Sequence, residues 1–384
     1  MHKKFPLQER SLNRLALQII LGVTFPLLAQ NVNAVEITKK AVIVTSAEYD
    51  SNPNLSEDEQ SVWIYTLAPQ FLVDVNSEFN RWFLDAKLLV QRHSNEAVLG
   101  DREDPSLTLG WDRTYESGVF GLKADYQETS SRTSELTSTG AFTNTEGTQK
   151  TKSLAGKWQH QISPRWSALT ESAYSDVLFV NSGTLSGYTL SEIATKLTYA
   201  YTDRLNTNVL LGYALYKPDE IFDDTKLSRV IFGADYQVNE GLNVAGHAGV
   251  YNLSGQQSDT GLESGVKAGY TAESSYYTAE LNRELVASGI GGFQKTDTFK
   301  LGYLYNRTEN DRFGLDYGLS RARKDSNINI DWLSYQQLTA YYERNLSSKW
   351  LTRFSATHKE LGVTGVRSRG DVIGVTFVYD TLSF

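Results

Sequence analysis

The chain has 384 residues, with 37 Lys and Arg against 45 Asp and Glu, for a net charge of −8. With no cysteine, disulfide frameworks, thiolate zinc sites and iron–sulfur clusters are excluded. The acidic balance, pI near 5.3, lacks the basic footprint of a nucleic-acid binder. Composition leans to strands: 22 Tyr and 29 Gly stand against 7 Pro and 1 Met. A mean hydropathy of −0.38 leaves no room for a set of membrane helices, yet a barrel that alternates apolar and polar residues averages to such a value.

Residues 1–34 read as an export signal. Lys3, Lys4, Arg10 and Arg14 precede an apolar run, Leu15–Ala29, and Val32-Asn33-Ala34 supplies small residues for cleavage after Ala34. The apolar run is short for a membrane span. Removing residues 1–34 takes away four bases and one acid, leaving a mature chain, 35–384, at −11. Export without cysteine suits a Gram-negative envelope, and the outer membrane is the expected location.

From residue 35 onward the dominant pattern has period two. Phe120/Leu122/Ala124/Tyr126 alternates with Gly121/Lys123/Asp125/Gln127, and Val209/Leu211/Tyr213/Leu215 continues the pattern. The same holds for Val230/Phe232/Ala234/Tyr236, for Phe299/Leu301/Tyr303/Tyr305 and for Phe313/Leu315/Tyr317/Leu319. Strict alternation over seven to nine residues means a strand with one apolar and one polar face. Short polar turns fall near 76–78, 116–118, 163–165, 202–204, 239–241, 273–275, 310–311 and 346–348. Longer polar segments lie near 51–60, 94–104, 128–151, 177–187, 218–226, 253–261, 287–294, 324–330 and 360–369. This rhythm predicts an all-β chain, a transmembrane antiparallel up-and-down barrel of about 18 strands, with 16 possible. Both termini fall on the short-turn side, which is periplasmic in such barrels.

Strand length separates this reading from a soluble sandwich. The strands run to 10–15 residues, while sandwich strands cluster near five or six and a tilted membrane strand needs about 9–11. Aromatic residues gather toward strand ends as an interfacial girdle would require: Trp63, Trp82, Trp158, Trp166, Trp332 and Trp350, with Tyr49, Tyr115, Tyr126, Tyr188 and Tyr251. The opposite face is rich in Gly, Ser, Thr and Ala, as a wet lumen would be. The chain ends on Phe384, a terminal aromatic resembling the signal read by the barrel assembly machinery. Ile373/Val375/Phe377/Tyr379 is out of phase with Leu382/Phe384, and a bulge near Asp380 would reconcile them.

Catalytic and cofactor chemistry leaves no trace. His93, His160, His247 and His358 lie on separate predicted strands without metal-ligand spacing, and no nucleophile elbow or phosphate loop occurs. No enzyme, cofactor or metal site is expected.

The stretch Tyr49-Asp50-Ser51-Asn52-Pro53-Asn54-Leu55, leaving a first strand and followed by a long barrel ending in Phe, resembles the β-barrel porin-2 family. The resemblance implies an 18-stranded outer-membrane porin, the conduit for an exopolysaccharide or capsular polymer delivered by a periplasmic polysaccharide export protein. The alternative is a diffusion porin for small solutes, general or sugar-selective. Lipopolysaccharide and other outer-membrane lipid would surround either one.

The alternation assigns to the lumen Lys87, Asp112, Lys123, Asp125, Lys157, Glu171, Lys196, Arg229, Asp235, Lys267, Glu280, Lys300, Asp316 and Arg353. Tyr216, Tyr251, Tyr276 and Tyr342 share that phase, as does Gly314, while Leu315 faces lipid. The signs are mixed, so strong selectivity for one ion is not expected. The Ser/Thr-rich segment 128–151 is the longest loop and the best candidate to fold inward.

Overall fold

The computed structural model describes residues 35–139, 146–183, 185–219, 223–256, 258–323, 333–363 and 366–381. The predicted export signal, Trp332, Phe384 and the phase change beyond Asp380 lie outside the described residues. The first strands are β1 (Glu36–Asp50), β2 (Val62–Asn76), β3 (Asn80–His93), β4 (Arg102–Tyr115) and β5 (Gly118–Ser130), followed by a helix, α1 (Ser131–Thr139). Next come β6 (Thr148–Gln161), β7 (Trp166–Val180), β8 (Tyr188–Ala200), β9 (Leu205–Pro218), β10 (Thr225–Gln237), β11 (Leu242–Gly255) and β12 (Asp259–Thr271). The chain closes with β13 (Ser275–Ala287), β14 (Phe293–Asn306), β15 (Asp311–Arg323), β16 (Leu333–Asn345), β17 (Trp350–Val363) and β18 (Val366–Asp380).

Every strand pairs antiparallel with its chain neighbours, and β1 pairs with both β2 and β18. The result is a closed 18-stranded barrel without a free edge, which resolves the sixteen-or-eighteen choice. The eight predicted turns sit where expected. Several long loops are shorter than predicted, because pairing continues beyond the apolar band: β17 and β18 pair as far as Val363↔Val366, within the predicted loop 360–369. Polar residues past the apolar band carry no hydrophobic alternation, but their backbone ladder does not need one.

The outward phase is apolar. Leu122, Leu154, Ile193, Phe232, Val266, Leu281, Leu315, Phe354 and Ile373 point away from the lumen and are exposed. At the short-turn end, aromatic side chains form a girdle: Trp82 stacks on Trp111 at 5.5 Å, Trp111 meets Phe120 at 5.9 Å, and Trp350 meets Tyr379 at 4.8 Å. The Trp158 indole N–H donates to the Tyr115 hydroxyl at 2.7 Å. Trp158→Phe keeps an aromatic ring, though a smaller one, and loses this half-wet bond. It is expected to lower stability by about 0.5–1 kcal/mol in denaturant melts of the refolded barrel.

Tyr188 and Tyr342 depart from their predicted places, while Tyr251, which falls in both the girdle set and the lumenal phase, takes the lumenal place. Tyr188 and Tyr251 turn inward and are buried, because the apolar interior of the long-loop end takes them up. Tyr342 pairs across from Phe313 and Phe354 and stacks on the Phe313 ring at 4.9 Å, so it faces outward. Its neighbour Tyr341 is the lumenal residue, its ring lying where a side chain on Gly314 would stand. Phe83 covers Gly110 in the same way, an aromatic laid flat over a bare patch of sheet.

Candidate pore and its constriction

All fourteen predicted lumenal charges lie on the inward phase of their strands, and the barrel brings acids and bases together in rows. Lys157 pairs with Asp112 at 2.8 Å and stands opposite Glu171. Lys123 meets Asp125 at 2.9 Å. Glu280 is flanked by Lys267, at 4.0 Å, and by Lys300 in register. Arg229 lies 3.7 Å from the buried Glu263. Arg353 shares Glu343 with Arg312, its Nε donating at 2.6 Å. Asp235 accepts from Asn208 at 3.4 Å. Lys87 stands opposite Gln70 and Ser106, Lys196 opposite Leu169 and Leu210, and Asp316 opposite Gly302 and Thr339. Neighbouring opposite charges cancel most of the long-range field, so the wall is polar without being strongly selective by sign.

The long-loop end is narrowed from two sides. The first element is α1, the start of the predicted inward segment. Its base is closed by the Ser131 N–H donating to Gly147 O at 3.0 Å. Arg102, held by Asp104 through two bonds of 3.0 and 2.9 Å, also donates to Gly147 O at 3.0 Å. Arg132 donates to Asn54 Oδ1 at 2.6 Å.

The Tyr49–Leu55 stretch therefore has a structural role. Asn52 is buried and donates to Ser56 O and Arg369 O, each at 2.9 Å. Asp50 holds Lys359 at 2.6 Å. The motif folds over the β17–β18 edge and presents Asn54 to the helix.

The second element is the β13–β14 hairpin. Pairing between β12 and β13 stops at Ser264↔Arg283, whereas β13 and β14 stay paired to Ala287↔Phe293. By alternation Leu285 and Phe293 belong with the outward Leu281 and Phe299. Beyond Arg283, however, the hairpin leaves β12 and leans into the barrel. The same side chains then pack on the inward Tyr188, Tyr216, Tyr251 and Leu253. Lys295 reaches back to Asp259 on β12 at 2.6 Å, and the Leu285 N–H, lacking its ladder partner, donates to Glu263 at 3.3 Å. The tip turns through Gly291 and Gly292, with φ of 111° and 77°, values that glycine takes at little cost.

Helix and hairpin meet inside the barrel. Glu135, 2% exposed, accepts from the Ser288 hydroxyl at 2.7 Å and from the Gly289 N–H at 3.0 Å. Thr296 donates to Thr139 O at 2.9 Å, and the Tyr216 hydroxyl donates to Ser288 O at 3.0 Å. Burial pushes the Glu135 carboxyl above its ordinary range, against the three donors that favour its charged form, Gly289, Ser288 and Thr139. Since β5 and β6 stand far around the barrel from β13 and β14, this contact spans the lumen. Sequence reasoning missed Glu135, Ser288 and Gly289. The available signal was a lone acid in a Ser/Thr-rich segment, and it names no partner.

No family model matches the chain, and no curated protein matches it. Solved structures do. Pseudomonas aeruginosa OccK1 (OpdK) aligns with a TM-score of 0.53 at 9% identity, covering 91% of this chain and 99% of that one. Acinetobacter baumannii OccAB4 gives 0.51 at 9% identity, covering 90% and 98%. The P. aeruginosa siderophore receptor PirA gives 0.51 at 10% identity, covering 92% and 81%. At such identities the likeness is one of fold: this chain shares the closed antiparallel β-barrel of outer-membrane porins.

Proposed function

We propose that the chain is an outer-membrane diffusion channel for small solutes, narrowed at its external end by α1 and the tucked β13–β14 hairpin. The observation that carries this reading is the lumen-spanning contact of Glu135 with Ser288 and Gly289. An inward element that narrows a wide barrel sets a size limit, and a wall of balanced charges passes polar solutes without strong preference for one ion. One P. aeruginosa OpdK structure, similar at a TM-score of 0.53, was solved with vanillate, a small solute.

Polymer export, implied by the Tyr49–Leu55 resemblance, is less well supported. A periplasmic partner would dock on the short turns, Thr202–Arg204 and Asn239–Gly241 among them, at the end opposite the constriction. Docking there leaves α1 and the hairpin in place. The stretch itself seats Arg132, a packing role that needs no polymer.

Planar bilayers and swelling of vesicles in sugars of rising mass test the proposal. Steady conductance with uptake that falls sharply between mono- and oligosaccharides is expected. A purified barrel without conductance, together with a deletion strain that loses surface polymer and keeps small-solute uptake, would restore the export reading.

A further inference from the structure

The chain is acidic, yet one arc of its outward rim is basic. A single pairing row crosses six strands at the long-loop edge of the apolar band: Arg283, Asp297, Arg321, Ser334, Gly362 and Arg367. The row beneath runs Leu281, Phe299, Leu319, Gln336, Glu360 and Arg369. All twelve positions share the outward phase. Arg283, Arg367 and Arg369 are 56%, 71% and 63% exposed. Two acids answer four arginines. Asp297 takes Arg283 through bonds of 2.6 and 2.9 Å, and Glu360 lies 3.5 and 3.6 Å from Arg367 and Arg369. Arg321 is exposed and has no ion-pair partner among the described residues.

Among the described residues, the other charged outward clusters are balanced or acidic. Lys150 and Lys152 have Glu128 and Asp176 in the opposing positions, and Arg92 is met by both Asp101 and Glu103. The β13–β18 arc differs in shape as well. Between Arg321 on β15 and Arg367 on β18 stand only Ser334 and Gly362, a low floor with a guanidinium on either side. Three strand spacings separate them, about 14 Å. The next row toward the membrane runs Leu301, Tyr317, Leu338, His358 and Asp371, the last two bonded to each other at 2.7 Å, with the exposed Ile373 beyond them.

We propose that this arc seats an outer-leaflet lipid whose headgroup carries two phosphates. Arg321 takes one phosphate and Arg367 with Arg369 the other, while the acyl chains run down the apolar face below. The guanidinium fork matches phosphate oxygens two at a time, and two anchors about 14 Å apart fit a disaccharide-sized spacer phosphorylated at both ends. A free phosphate would use the same forks, but it would gain nothing from the spacing or from the apolar face. The seat depends on which leaflet the rim meets, not on what crosses the pore, so it stands or falls separately from the conductance test.

The test uses the full barrel in phosphatidylcholine vesicles with and without added bisphosphorylated lipid A, reading lipid retained after detergent extraction. Wild type is expected to retain lipid A, and the double variant Arg321→Gln with Arg367→Gln to retain at least tenfold less. Arg92→Gln, on another part of the rim, should match wild type, and monophosphorylated lipid A should be held several-fold more weakly. Both variants remove exposed side chains, so an unchanged heat-shifted gel band confirms their folding. Equal retention by the double variant, or equal retention of the monophosphorylated form, would overturn the seat. Competition by millimolar inorganic phosphate to the same extent as by lipid A would overturn the lipid as its occupant.

Discussion

Glu135→Ala is expected to raise single-channel conductance several-fold and to make the current noisier. The substitution removes the acceptor that joins helix to hairpin and orphans the Ser288 hydroxyl and the Gly289 N–H. Two lost bonds to a buried group are worth on the order of 2–4 kcal/mol, enough to shift α1 from mostly docked to mostly released. The same contact gives the channel a pH dependence with a definite sign. Burial raises the Glu135 carboxyl in the docked state above its ordinary value of 4.5, so docking favours the protonated form. That contribution is fully present below about pH 4.5 and is lost as pH rises through the raised value. Conductance should therefore climb with pH across that interval. Glu135→Gln keeps a neutral acceptor in place and should hold the low conductance at every pH. A glutamine variant with the wild-type pH profile would place the titrating group elsewhere.

The barrel was almost wholly legible because its information is local. Leu122 or Phe313 faces outward because of its own position in a period-two run, and the eight turns announce themselves by Ser, Asn, Asp and Gly clusters. The lumenal charges follow from the same phase. Legibility ends where the chain leaves the barrel wall. Leu285 and Phe293 keep the outward parity, yet they are buried because the hairpin leaves β12 after Arg283. Periodicity fixes which residues share a face but does not say what that face meets. Tyr188 leaves the girdle for the same reason, and Tyr251, which the alternation placed inward, shows it too: an aromatic near a strand end serves a girdle or an inner packing layer equally well. Tyr342 is different: two adjacent tyrosines straddle the phase, and only the register against Phe313 and Phe354 chooses between them. The Glu135 contact joins residues 153 apart in sequence, so no spacing rule could reveal it.

Leu315→Arg and Gly318→Arg, three residues apart on β15, separate the two faces of the wall in one experiment. Leu315 is exposed on the outward phase between Tyr303 and Ala340, above the Phe313 ring and below the basic rim at Arg321. An arginine there must desolvate or drag headgroups and water into the apolar band. The expected cost is about 2 kcal/mol, the lower end of the midplane range because the girdle is near. Gly318 faces the lumen between Lys300 and Gln337, and a Cβ built on it meets nothing within 4 Å. Its arginine should leave stability almost unchanged while lowering conductance and, beside Lys300, tilting the current toward anions. Gly314 shares that phase but is a poor probe. A Cβ there would stand 2.0 Å from the Tyr341 ring, so its arginine would report a clash, not the lumen. Denaturant titration of vesicle-inserted barrels gives the stability difference, and reversal potentials under a salt gradient give the selectivity. Equal destabilisation by Leu315→Arg and Gly318→Arg, with no change in reversal potential for Gly318→Arg, would mean that neither face meets lipid and that the wall encloses a packed core.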